Sequence, residues 1–287
     1  MEQVLAKIQS VTIVIFMVGN LLEVGLRLNV AEAVAALRNA RFLVTSLLWC
    51  FVLAPALAVL LTKLIPLAAP YALGLVLLGL APCSPAIPVM MRKSGGSLAY
   101  MSAFMLLAYA GTVVLMPFMV PWLATGFTAD PWTIAKPLLF FIALPLVIGA
   151  AIRRVAEPIA EKTAPIVKKV TGLATIILCA VLLWVYRNEI FSAVGTYAIG
   201  TQILYYALLG AASYLLGFGL SYDQKAPMVL GICTRNVGPA LATLMGVSGA
   251  PQGATTMCIL AIFLGAILSG FAAAALLKRF GAPANAT

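Results

Sequence analysis

The sequence predicts an all-α membrane protein of about nine transmembrane helices, two of them interrupted partway across. Three observations carry this expectation. The 287 residues are 63% hydrophobic and only 9% charged, with a mean hydropathy of +1.10. A soluble domain is nearer half apolar and about a quarter charged, so no soluble core could absorb this much apolar surface. The apolar runs are about 20 residues long without strict alternation, which fits spanning helices and not barrel strands. Finally, two of the runs hold helix-breaking residues at their centres.

The expected spans are 5–27, 42–62, 71–92, 98–123, 134–152, 171–187, 197–221, 227–248 and 254–277. The opening stretch "MEQVLAKIQSVTIVIFMVGNLLEVGLRLNV" reads as the first of them rather than a signal peptide. Its apolar run is long, no small-residue cleavage site follows, and charge comes after it rather than before. Residues 28–41, "LNVAEAVAALRNAR", read as a short amphipathic segment at the membrane surface. Residues 153–170, "RRVAEPIAEKTAPIVKKV", carry five cations and two prolines and read as a linker between two structural halves.

Net charge is +10, from 18 Lys and Arg against 8 Asp and Glu. Connections after odd-numbered spans hold Arg27, Arg38, Arg41, Arg92, Lys93, Arg153, Arg154, Lys162, Lys168, Lys169, Lys225, Lys278 and Arg279; the other side holds Lys7, Lys63, Lys136 and Arg187. This 13-to-4 bias puts the N-terminus outside and the C-terminus in the cytoplasm of a cell inner (plasma) membrane. The basic residues thus serve topology and anionic lipid, and no nucleic-acid partner is expected. Trp49, Trp122, Trp132, Trp184 and Tyr186 read as interfacial belts or packing.

The chain has no histidine, so the commonest metal ligand and the usual general base are missing. Cys50, Cys83, Cys179, Cys233 and Cys258 show no zinc-type spacing. With no acid pair in the core and no cofactor motif, neither an enzyme nor a cofactor is expected.

The third span contains "LAPCSPAIPVMMRKSGG", with Pro82, Pro85 and Pro88 close together. The eighth contains "GICTRNVGPALATLMGV", with Arg235 and Asn236 followed by Gly238 and Pro239. Proline removes a donor and clashes with the preceding turn. Freed backbone groups cannot be satisfied by lipid, so each break must be buried in protein or line a watery cavity. The breaks lie five spans apart, so the two segments cross in opposite senses. This is the pattern of an inverted-repeat transporter binding its substrate between two discontinuous helices. Pro55, Pro117 and Pro145 read as ordinary kinks.

Arg235 is the most telling residue, because a mid-membrane charge must face a cavity or a partner. The only acid inside a span is Glu23, whose natural partner is Arg27 four residues on. The guanidinium fork suits a carboxylate or sulfonate. Half-helices restarting near Val89 and Pro239 would aim their positive ends at the same region. The expected partner is a small organic anion, with Arg235, Asn236, Thr234, Ser84, Cys83 and Cys233 as contacts. Arg235 could also act as a tethered cation.

The run "LVLLGLAPCSPAIPVMM" followed by a small-residue-rich span, and later "MVLGICTRNVGPALA", resembles the bile acid:sodium symporter superfamily along nearly the whole chain. The resemblance implies ten helices in two inverted five-helix repeats, with the fourth and ninth broken and crossing. Here the third and eighth spans match these if the family's first helix is missing. The single transporter domain then divides into a four-helix repeat over about 1–133 and a five-helix repeat over about 134–287. A panel (first, fifth and sixth spans) would move against a core in alternating access. The family's sodium sites imply an acid and a Gln in the second broken helix, where this chain has Gly231 and Arg235. They imply oxygen ligands elsewhere, where it has Ile87, Pro88, Met101, Met105 and Cys50; Asn236 alone keeps the family residue. Hard cations need oxygen ligands, so coupling through those sites is not expected. "GLAPCS" also resembles the arsenite-efflux branch, which leaves a metalloid permease as an alternative beside a channel or sensor. The oligomeric state stays open.

Overall fold

Helices account for all regular structure among the described residues, which are 2–94, 96–124, 129–247 and 249–280 of a computed structural model. In chain order they are α1 (Glu2–Arg27), α2 (Val30–Leu37), α3 (Ala40–Leu64), α4 (Ala69–Leu80), α5 (Ile87–Ser94), α6 (Leu98–Leu123) and α7 (Pro131–Val155). There follow α8 (Glu157–Val185), α9 (Arg187–Ser192), α10 (Ala198–Leu215), α11 (Tyr222–Cys233), α12 (Val237–Gly246) and α13 (Gln252–Phe280). Among the described residues, seven stretches are long and apolar enough to cross a membrane, counting α11 and α12 together as Tyr222–Gly246. The other two expected spans fall on shorter apolar helices, Ala69–Leu80 and Gln252–Gly265. The expected cytoplasmic end of the chain, residues 281–287, lies outside the described residues.

Local chemistry explains the boundaries. Asn29 and Asn39 open α2 and α3 by accepting the backbone N–H of Glu32 and Phe42. Ser221 and Gln224 form a reciprocal capping box at the start of α11. Pro55 and Pro145 each follow a single π-helical turn, Trp49–Leu53 in α3 and Leu139–Ala143 in α7. A proline cannot supply the N–H of the regular ladder and crowds the carbonyl four residues back; a widened turn ahead of it relieves both.

The expected linker over 153–170 is different in the structure. Only Ala156 interrupts the chain there, and α8 begins at Glu157 and runs for 29 residues, about 43 Å. Pro158 sits in its first turn, where its missing N–H has no helical partner to lose. Arg153 bridges both Glu157 and Glu161 and ties the end of α7 to the start of α8.

Helices α1, α7 and α8 pack along one another. Gly25 and Gly149 make this possible: a Cβ on Gly149 would sit 2.5 Å from the Leu22 carbonyl oxygen, and one on Gly25 2.4 Å from that of Leu146. Helices α6, α10 and α13 pack against α11, and α7 and α13 pack against α12. Of the most apolar window of Tyr222–Gly246, 94% is buried, against 22% for α1, so the second interruption lies in the best-shielded of the seven candidate spans among the described residues. Trp122, Trp132 and Trp184 are exposed near the ends of α6, α7 and α8. Trp49 is instead buried and donates its Nε1–H to the Leu216 carbonyl at 3.1 Å.

Because backbone opposes backbone at Gly149, Gly149→Leu should cost about 1–3 kcal/mol or more and lower the thermal midpoint of the detergent-solubilised protein by several degrees. Gly200→Ala, where nothing lies within 4 Å of the added carbon, should leave the midpoint unchanged or raise it.

Candidate functional site

The first interruption spans Ala81 to Ala86, between α4 and α5. Pro82 cannot extend α4, and Pro85 cannot extend the turn after it. Ser84 accepts the Ala86 N–H through its hydroxyl at 3.3 Å and the Ile87 N–H through its carbonyl at 3.3 Å, so the chain turns and re-enters a helix at Ile87. Pro88 falls in the first turn of α5, where a proline is tolerated.

The end of a helix leaves carbonyl oxygens without intrahelical donors. Here four successive carbonyls each find one from elsewhere in the chain. Leu80 accepts from the Thr112 hydroxyl at 3.2 Å, Ala81 from Nη1 of Arg235 at 2.8 Å, Pro82 from the Asn236 N–H at 2.8 Å, and Cys83 from the Tyr109 hydroxyl at 2.9 Å. Two of the four donors come from the second interruption, so the two breaks are in direct contact.

That second interruption is Thr234 to Asn236. Thr234 turns its hydroxyl back onto the Leu230 carbonyl at 2.7 Å, and Cys233 donates to the same oxygen at 3.6 Å. Asn236 caps α12 by accepting the Gly238 N–H at 3.0 Å, with Pro239 in the first turn. Cys83, Cys233, Thr234, Arg235 and Asn236 are all buried together with Pro82, whereas Ser84, Pro85 and Pro88 are half-buried.

Arg235 is 7% exposed and makes no ion pair among the described residues. Its Nε and Nη2 are buried without a hydrogen-bond partner. Tyr205 and Tyr206 of α10, together with Cys50, Cys83 and Cys233, lie within electrostatic reach of the guanidinium. Tyr205 is itself fixed by donating to the Ala54 carbonyl at 3.2 Å. Tyr109, Thr112, Tyr205 and Tyr206 were not singled out from the sequence. Their signal is spacing: Tyr109 and Thr112 lie three apart on α6, and Gln202, Tyr205 and Tyr206 form a polar face on an apolar helix.

The positions without oxygen ligands are also buried. Cys50 lies in the π-helical turn of α3, and Ile87, Met101 and Met105 are core residues. A Cβ on Gly231 would meet the ring of Phe104 at 2.0 Å, so that ring fills the space beside the glycine. Among the described residues, no three His, Cys, Asp or Glu side chains gather in a metal-binding group.

A cavity of about 650 Å³ lies elsewhere, between α1 and α8 on one side and the first interruption with α5 and α6 on the other. Pro85, Ala86, Pro88 and Val89 line it, as do Asn20, Ser102, Thr171 and Thr175; Arg235 does not. Four cations, Arg27, Arg92, Arg153 and Lys168, face two acids, Glu23 and Glu32. Glu23 holds Arg27 at 3.0 Å, the pairing expected from their spacing, and Glu157 and Glu161 occupy Arg153. Among the described residues Arg92 and Lys168 make no ion pair, and both are exposed. The Thr171 hydroxyl has no hydrogen-bond partner.

Similarity to known proteins agrees with this architecture. The chain is 24% identical over 277 residues to the Probable sodium/metabolite cotransporter BASS2, chloroplastic, of Oryza sativa subsp. japonica, covering 92% of this chain and 63% of that protein. It is 23% identical over 264 residues to the Probable sodium/metabolite cotransporter BASS3, chloroplastic, of Arabidopsis thaliana, covering 88% of this chain and 60% of that one. The chain thus spans about three fifths of the length of these curated relatives. A profile of the Sodium Bile acid symporter family matches residues 12–193, more than half of the chain. The apolar helices and this match identify a multi-pass membrane protein of transporter ancestry, and the chain belongs to the Sodium Bile acid symporter family.

Proposed function

We propose that this chain is a secondary carrier that moves a small organic anion, of carboxylate or sulfonate type, across a plasma-type membrane by alternating access. One observation carries the reading: the cavity of about 650 Å³ is lined by two cations that make no ion pair among the described residues, Arg92 on α5 and Lys168 on α8, on different helix groups that face each other across it. A cavity of several hundred cubic ångströms suits a small solute, and Arg and Lys favour an anionic one. Asn20, Ser102, Thr171 and Thr175 add neutral hydrogen-bonding groups to orient it.

In this reading α1, α7 and α8 form the panel, and the other long helices form a core that shifts against it. Nine crossings, a four-helix repeat to about residue 133 and a five-helix repeat after it complete the architecture. Arg235, Asn236, Thr234, Ser84, Cys83 and Cys233 form the buried end of the path. There the free Nε and Nη2 of Arg235 are available to a solute that has passed the cavity. The cavity's cations all belong to the side rich in Lys and Arg, which supports a cytoplasmic opening with the N-terminus outside.

In a thermal-shift screen of the purified protein against organic anions and cations of matched size, small carboxylates or sulfonates should raise the melting point and cations should not. Arg92→Ala and Lys168→Ala should each weaken binding of the best anion about tenfold, the loss of one charge-assisted contact of about 1.5 kcal/mol. Unchanged binding in both variants contradicts the reading. A green fluorescent protein fused after Thr287 should fluoresce and an alkaline phosphatase there should be inactive; the reverse pattern contradicts the orientation.

A further inference from the structure

We infer that the guanidinium of Arg235 is a resident cation that joins the two interrupted helices, so that this member of a family named for sodium works without sodium.

The inference starts from the C-terminal end of α4. The aligned peptide dipoles of a helix concentrate partial negative charge on its last carbonyls, and a cation there is stabilised. A mobile cation would be drawn to this place because oxygen atoms gather there. In this chain each of those oxygens already accepts a donor. Thr112, Arg235, Asn236 and Tyr109 each donate to one of the four carbonyls from Leu80 to Cys83, and the Arg235 contact, at 2.8 Å, brings a full positive charge.

The surrounding side chains do not fit a sodium ion. Hard cations take oxygen ligands. The side-chain oxygens of Tyr109, Thr112, Thr234 and Asn236 at the crossing are each engaged with a backbone group, and beside them lie the thiols of Cys50, Cys83 and Cys233. At Gly231, where the family resemblance puts an acid, the Phe104 ring fills the space a side chain would need. The acids of the chain are Glu2, Glu23, Glu32, Asp130, Glu157, Glu161, Glu189 and Asp223, none within either interruption. A sodium ion would therefore meet a fixed positive charge that, among the described residues, pairs with no carboxylate. The charge of Arg235 is balanced instead by the α4 dipole and, when the carrier is loaded, by the solute.

This inference rests on the anion-carrier reading only in what it says of the loaded state, and its test needs no solute. The full chain in nanodiscs is melted in sodium chloride and in choline chloride at equal ionic strength. The expected result is the same midpoint in both. An ion bound at about a hundredfold over its dissociation constant would raise it by about 5 °C or more, and a sodium-dependent rise of that size overturns the inference.

Arg235→Lys keeps the charge, whereas Arg235→Gln keeps an N–H donor for Ala81 and loses the charge. The lysine variant should melt within about 2 °C of the parent and the glutamine variant several degrees lower. Millimolar methylguanidinium should restore part of the loss in Arg235→Ala. A glutamine variant as stable as the lysine one would mean that only the hydrogen bond matters and would also overturn the inference. Should Arg235→Ala fail to fold, the parent's sodium comparison and the Lys–Gln comparison still decide. A parent stabilised by both sodium and an organic anion would refute the resident cation while leaving the carrier reading intact.

Discussion

A backbone that leaves its helix in the middle of an apolar protein must find partners for every group it frees. An unpaired buried polar group costs about 1–3 kcal/mol or more, and lipid offers no remedy. Pro82 and Pro85 force α4 to stop and thereby expose the carbonyls from Leu80 to Cys83. The donors come from α6 and from the second interruption, and this requirement fixes how those elements sit relative to one another. Asn236 illustrates the economy of the arrangement. Its backbone N–H serves the Pro82 carbonyl while its side chain caps α12. The deep burial of Tyr222–Gly246 accords with the same need, since non-helical backbone there cannot be satisfied by lipid.

Much of this was legible in the sequence because its signals are local. Three prolines within seven residues, and Arg-Asn followed by Gly-Pro, mark the two places where the helices stop. The restart points lie two residues before the expected Val89 and Pro239, at Ile87 and Val237, because proline fits the first turn of a helix rather than ending it. The same rule explains why the stretch 153–170 is helical from Glu157. Pro158 opens α8 instead of breaking it, so composition suggested a loop where the chain is helical. What the sequence could not reveal is what each break touches. That Tyr109 and Thr112 serve the first interruption depends on the approach of α6, a long-range contact that no spacing rule encodes.

The charges of the membrane region divide into two kinds of use. Arg235 is buried, donates to the Ala81 carbonyl and makes no ion pair among the described residues. Arg92 and Lys168 are exposed in the cavity and make no ion pair among the described residues. Sequence reading alone credits Arg235 with both uses, because a lone arginine within an apolar run draws attention that loop cations do not. The structure separates them by burial.

The most direct test of the account is counterflow in proteoliposomes, with a labelled small organic anion outside and the same anion unlabelled inside. The account predicts saturable exchange whose rate is unchanged when choline replaces sodium on both sides. An unsaturable current, absence of exchange for every carboxylate and sulfonate that stabilises the protein, or exchange that stops without sodium would contradict it.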